Sequence, residues 1–402
     1  MIALLFWLGC TGKDVDESPD TADTADTADT ADTGDSADTL PVADGCRAQP
    51  ADADRDRVVV LGLPYDASGG QADAWAALRL TADGELLDDG ARFTMGRGLL
   101  GEVAFSPDGT LGVAAQDDGS IGVFTVADDG SLTVVEARFD PGFYAVAVEV
   151  DPSGERAWVV DGNWVENGGG VYEVPLDCET GAPGEPTLAM AVKLGVDLMI
   201  LRRQLDRAVV VGWEAEGAGD ASAEVHLLDM DAGPELLGSA EAFGDDEALL
   251  SAAAVTFDDQ YALAADYSPW SGLPNRVAAV SVAGDTPEPV QVLEIYDPVA
   301  IIPSPFDDLI LVSSGYGDAI ESITYSPGDA APFAVGPTIA TSALPSAGVV
   351  ITRGPLAGLA LISENQGIRG VRFEGGGAAT DLRMLYEGDG LDAIAGAIGV
   401  QP

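Results

Sequence analysis

The 402-residue chain carries 68 acidic residues against 18 basic ones, a formal charge of −50, with an isoelectric point near 4.1. Such a surface repels phosphate backbones and anionic headgroups. It argues against nucleic-acid binding and makes cations, Ca²⁺ among them, the natural complement. Lysine occurs only at Lys13 and Lys193, a bias that also suits a salty habitat or a GC-rich genome.

Met1 to Gly9 is apolar and runs directly into Cys10. Thr21 to Thr39 then repeats Thr-Ala-Asp with one sign of charge and no core-forming residues, which predicts a disordered, self-repelling spacer. Its aspartates lack the density of a Ca²⁺ loop and the later bidentate Glu such a loop needs. Trp7-Leu8-Gly9-Cys10 resembles the lipobox of bacterial lipoproteins, although the apolar run is short and no Lys or Arg precedes it. The resemblance implies a signal segment over 1–9, lipidation at Cys10, and a lipid-anchored acidic tether over 10–56. It further implies residence in the cell envelope, and Thr11 after the cysteine resembles export to the outer membrane. With Cys10 acylated, Cys46 and Cys178 are the remaining pair; a disulfide between them and a pair of thiols both stay open.

From Arg57 a single unit recurs: strand, turn, strand, acidic loop, strand, turn, strand. It is complete in Gly101 to Arg138, where Val103, Phe105, Leu111 and Val113 alternate with smaller residues and Ser106-Pro107-Asp108-Gly109 makes the first turn. Tyr144 to Ala191 repeats it, with Asp151-Pro152-Ser153-Gly154 at the same turn. Val192 to Phe243, Leu249 to Tyr296, Val299 to Ile339 and Ala347 to Glu387 follow. Arg57 to Gly96 lacks its opening strand, and Leu391 to Val400 ends the chain as an opening strand with nothing after it. The two fragments complement each other, so the expected fold is all-β. It is a seven-bladed β-propeller of four-stranded antiparallel blades over 57–402, closed by the C-terminal strand completing the first blade.

The turn sequences SPDGT, DGSLT and DPSGERAWV resemble the seven-bladed propellers of the lactonase and YVTN (YncE-like) group, and less closely WD40 repeats. The literal YVTN tetrapeptide and the Trp-Asp signature are missing. No fixed catalytic His or Arg carries over, so the resemblance speaks for fold, and function has to come from the site.

Aligned repeats place an acid at the loop after the second strand: Asp66, Asp117, Asp161, Glu214, Asp266, Asp318 and Glu364, with Trp164 and Trp270 among the aromatics beside them. Such a rim offers oxygens for Ca²⁺, with Asp161, Asp266 and Glu364 as the candidate ligands, and rings for a sugar or peptide. Turns favour Asp in any case, so plain surface charge is the competing reading. The one histidine, His226, shares a strand face with Glu224 and reads as a satisfied strand residue, and no Ser-His-Asp set can be assembled. The leading expectation is therefore a membrane-anchored binding or scaffold protein, monomeric by default, for a protein or small-molecule ligand of the envelope. A lactonase-like hydrolase with a carboxylate-rich, Ca²⁺-assisted channel mouth is the alternative.

Overall fold

The computed structural model describes residues 43–99, 102–162, 169–192, 195–217, 220–231, 233–244, 248, 250–266, 275–388 and 395–402, without the side chains of 213–222. The expectations for Cys10, Trp164, Trp270 and the Glu214 side chain lie outside the described residues.

Alternating strand patterns and Gly- or Asp-bearing turns produce seven antiparallel blades built on four strands each, in sequence order in all but the first, whose inner strand comes from the C-terminal end. The second blade shows the logic. Its inner strand Val103–Phe105 turns through Ser106 to Thr110 into Leu111–Ala115, then Ile121–Val126 and Leu132–Phe139. Gly109 takes φ 70°, and the Asp108 carboxylate accepts the Thr110 amide at 2.9 Å and the Ser106 hydroxyl at 2.7 Å. The inner strands of blades three to seven are Ala145–Val150, Gly195–Ile200, Leu250–Val255, Pro298–Pro303 and Gly348–Val350. In the sixth blade a short extra strand, Ala340–Thr341, also pairs with the third strand.

The core is divided among the blade interfaces. Seven apolar clusters each join one blade to the next, as in Leu111, Val113 and Val123 of the second blade against Val148, Val159 and Val174 of the third. Burial of this kind contributes about 25 cal/mol per Å² of apolar surface. Each blade thus depends on both neighbours, and the ring has to close. It does so through Ile398–Val400, which pairs with the second strand of the first blade as Val59↔Val400, Val60↔Gly399 and Leu61↔Ile398. Gln401 extends the join: its amide reaches the Val58 carbonyl at 2.9 Å and its side chain donates to Gly109 of the second blade at 2.7 Å.

Turns between first and second strands lie on one face, here called lower, and turns between second and third strands on the other, upper face. On the lower face Asp259 (φ 61°) and Asp307 (φ 53°) hold the left-handed turn position that glycine holds in the second and third blades. The strain has a return, because each carboxylate clasps the preceding blade. Asp259 accepts the Arg202 and Arg203 amides at 3.1 and 2.6 Å, and Asp307 accepts the Asp258 amide at 2.8 Å.

Around the rest of the lower face the N-terminal segment makes the equivalent links. Arg47 exchanges backbone hydrogen bonds with Ser153 and Asp108, and Ala51 donates to Pro107 at 3.0 Å. Cys46 and Cys178 are disulfide-bonded, with Cα atoms 6.0 Å apart, and the Arg47 guanidinium donates to the Cys178 carbonyl at 2.7 Å. The expected tether boundary at residue 56 is therefore corrected. Residues 43–56 belong to the folded body, because their backbone groups and the buried Ala48 and Arg47 are paired with blade turns.

Asp259→Gly keeps the left-handed turn, and removes only the carboxylate. Glycine relieves about 1 kcal/mol of backbone strain, but two amides lose a charged acceptor worth about 1.5–3 kcal/mol each. The expected outcome is a net loss of stability in urea unfolding; equal or greater stability would show that the clasp is idle.

Candidate functional site

The upper face holds the loop acids, and the structure gives each its own local partner. Asp66 caps its own turn, accepting Ser68 and Gly70 amides at 2.8 Å. The Ser68 hydroxyl, and then those amides, hold its carboxyl below the usual range. Asp117 pairs with Arg97 at 3.0 Å, and Asp161, fully buried, accepts the Tyr144 amide at 3.3 Å. Asp266 is buried against Arg276 at 2.6 Å, and Arg276 lies over the Phe243 ring. Asp318 accepts the Leu344 amide at 3.0 Å. Glu364 is bound by Arg369 at 2.9 Å, which also holds Asp381, and by the Ser342 hydroxyl.

These acids brace separate blades and do not gather. Among the described residues no three carboxylates bring oxygens within 4.8 Å of one another; the one such group of Cys, His or acidic residues is Cys46, Glu155 and Cys178, whose sulfurs are bonded to each other. Among the described residues, exposed rings here come from tyrosines: Tyr144, Tyr296 and Tyr316 are 40%, 65% and 69% exposed. His226 shares a 2.7 Å hydrogen bond with Ser239 and lies 3.5 Å from Glu224, as a strand residue. Of the basic doublet, Arg203 pairs with Asp307 at 3.4 Å.

A second group of acids sits on inner strands, walled by the channel. Glu102 lies at the start of the second blade's inner strand, Glu149 on the third blade's and Asp197 on the fourth's. Asp197 and Glu102 are three residues from the last pair before the lower turn, and Glu149 is one residue from it. Two residues of strand rise place Glu149 about 7 Å deeper. Glu102 and Asp197 hydrogen-bond to each other. Glu102 and Glu149 are half-buried and Asp197 is buried. Below them Arg202, stacked on Phe257, faces Glu149.

Burial and then mutual repulsion govern the chemistry of this trio. Burial, and next the neighbouring Asp197 charge, raise the Glu102 carboxyl well above its usual range. Burial likewise raises Asp197. Burial and the Glu102 charge push Glu149 up to about 8, with Arg202 opposing. The trio therefore holds protons near neutral pH and can both give and accept them. The residue-level signal was present in the sequence as one acid inside each apolar strand run, GEVAF, AVEV and GVDLM.

Comparison with protein-family models finds no match, and no curated protein matches. Solved structures do match in fold. The periplasmic gluconolactonase of Pseudomonas aeruginosa aligns with a TM-score of 0.61 at 11% identity, covering 86% of this chain and 99% of that one. A Bacteroides fragilis protein provisionally named a 6-phosphogluconolactonase aligns at 0.62 with 12% identity, covering 88% and 99%. The hydrazine synthase of Kuenenia stuttgartiensis aligns at 0.55 with 11% identity, covering 81% and 96%. At these identities the likeness establishes the propeller fold, and the spread of names shows how little the fold alone selects an activity.

Because the folded-state Glu149 carboxyl titrates near 8 against 4.5 for the ordinary group, its contribution to stability is full below about pH 4.5 and is lost as pH rises to about 8. Thermal melts across that window are expected to fall with pH in the parent protein and to fall less in Glu149→Gln. Parallel profiles would remove Glu149 as the source.

Proposed function

We propose that the protein is an extracytoplasmic hydrolase of lactone-type substrates, acting at the upper end of the channel. The carrying observation is the hydrogen-bonded Glu102–Asp197 pair, in which burial first and neighbouring charge next raise both carboxyls, Asp197 to about 8 and Glu102 well above its usual range, so that one loses its proton before the other as pH rises. One group is then ionised and the other protonated at the same pH, the arrangement that opening an ester ring requires. The ionised carboxylate takes a proton from water as its oxygen bonds to the acyl carbon. The protonated one donates to the ring oxygen as the carbon–oxygen bond breaks, leaving a hydroxy acid. The lactonase names among the structural neighbours support this reading, and the disulfide supports an oxidising compartment. Asp161, Asp266 and Glu364 then serve as braces, since each is already neutralised or enclosed.

A binding module is the second reading. It is favoured by the exposed Tyr144, Tyr296 and Tyr316, whose rings suit stacking on a sugar. Turnover of gluconolactone, corrected for spontaneous hydrolysis, separates the two. The enzyme reading expects Glu102→Gln and Asp197→Asn each to lower kcat by about 100-fold or more with the fold intact. Saturable gluconolactone binding without turnover would leave the binding module.

A further inference from the structure

Nine of the arginines of this acidic chain are salt-bridged to a carboxylate. Seven others have no such bridge among the described residues, and three of these are Arg55, Arg57 and Arg353. These three meet on the lower face at the first blade, where the six other blades have a covalent turn between inner and second strands. The first blade has two separate chain segments there, ending in Gln401 and beginning at Arg57.

Arg57 is 2% exposed and donates to three backbone carbonyls: Gln401 at 3.2 Å, Ala53 at 3.2 Å and Arg353 at 3.0 Å. Its Nε is buried without a partner. Arg55 donates to the Asp108 carbonyl at 3.3 Å, and its Nε is likewise buried and unpartnered. The Arg353 guanidinium is half-buried. Among the described residues it makes no hydrogen bond or ion pair, and no carboxylate pairs with any of the three. Burial, and then the Arg353 and Arg55 charges, hold Arg57 below its ordinary range; burial and then Arg55 do the same to Arg353. Carbonyl dipoles offset part of this charge, but no full counter-charge is supplied. What distinguishes the seam is that three such arginines gather in one place, each within reach of another's charge.

We propose that the seam is a binding site for a small oxyanion, either free phosphate or the phosphate group of a small phosphorylated metabolite. Arg353 is the accessible fork, Arg55 its neighbour and Arg57 the buried charge behind them. Such a ligand takes the place of the missing turn and ties the seventh, first and second blades together. This site lies on the face opposite the proposed hydrolytic centre and does not depend on it.

The test is a thermal melt of the full-length protein against sodium phosphate up to about 20 mM, with NaCl at matched ionic strength as reference; at that level general salting effects are small. The expected result is a Tm that rises by several degrees and saturates. Arg353→Gln, whose side chain has no partner to lose, is expected to fold and to abolish the rise, while Arg372→Gln, one charge fewer on the same blade, keeps it. Glycerol phosphate in place of inorganic phosphate identifies the source: tighter binding assigns a monoester, weaker binding the free ion. A phosphate response no larger than that of NaCl, or a full response in Arg353→Gln, would overturn the proposal.

Discussion

Three residue pairs between two strands, Val59–Val400, Val60–Gly399 and Leu61–Ile398, close the ring of blades, and the other blades depend on that join. The reason lies in how the core is distributed. Among the described residues the buried apolar side chains form seven clusters between blades, so an open ring would expose the facing surfaces of two blades as well as two strand edges. Closure converts a row of repeats into one cooperative body. Gln401 reinforces it by reaching both Val58 and Gly109, which couples the closing strand to the next blade.

The lower face shows two solutions to one problem, the linking of adjacent turns. In blades five and six, aspartates at positive φ reach back to the preceding turn. Beneath blades three, two and seven the same links come from residues 45–57, held at one end by the Cys46–Cys178 bridge and at the other by Arg57. A backbone strain of the order of 1 kcal/mol is tolerated where the side chain has a specific acceptor role, and glycine returns where another segment does the linking.

Charge is handled with similar economy. The loop acids of the upper face are spent locally, each on a turn amide or an arginine, because a buried carboxylate without a partner is costly. The channel carboxyls have partners too, the Leu198 amide for Asp197 and Arg202 for Glu149, but burial outweighs them and these groups hold protons. The same physics applied to the seam arginines leaves positive charge that the chain itself does not cancel. Proton-holding acids at one place and a cluster of arginines without a carboxylate at another mark where the fold leaves charge unneutralised.

The recurring unit was legible from the sequence because turn chemistry is local: Ser106-Pro107-Asp108-Gly109 specifies its own geometry, and strand alternation specifies which side chains are half-buried. The complementarity of Arg57–Gly96 and the final strand was legible for the same reason, as a unit missing one piece and a piece missing its unit. Aligned loop acids were visible too, but alignment places residues at equivalent positions in different blades and says nothing about convergence, so Asp161, Asp266 and Glu364 ended on separate partners. The residues that do meet, Glu102 with Asp197 and the Arg55–Arg57 segment with Arg353, come from positions far apart in the chain. Their juxtaposition follows from ring closure and strand register, which set distance and burial together. Those two quantities fix how strongly a charge is held, and they exist only once the blades have packed.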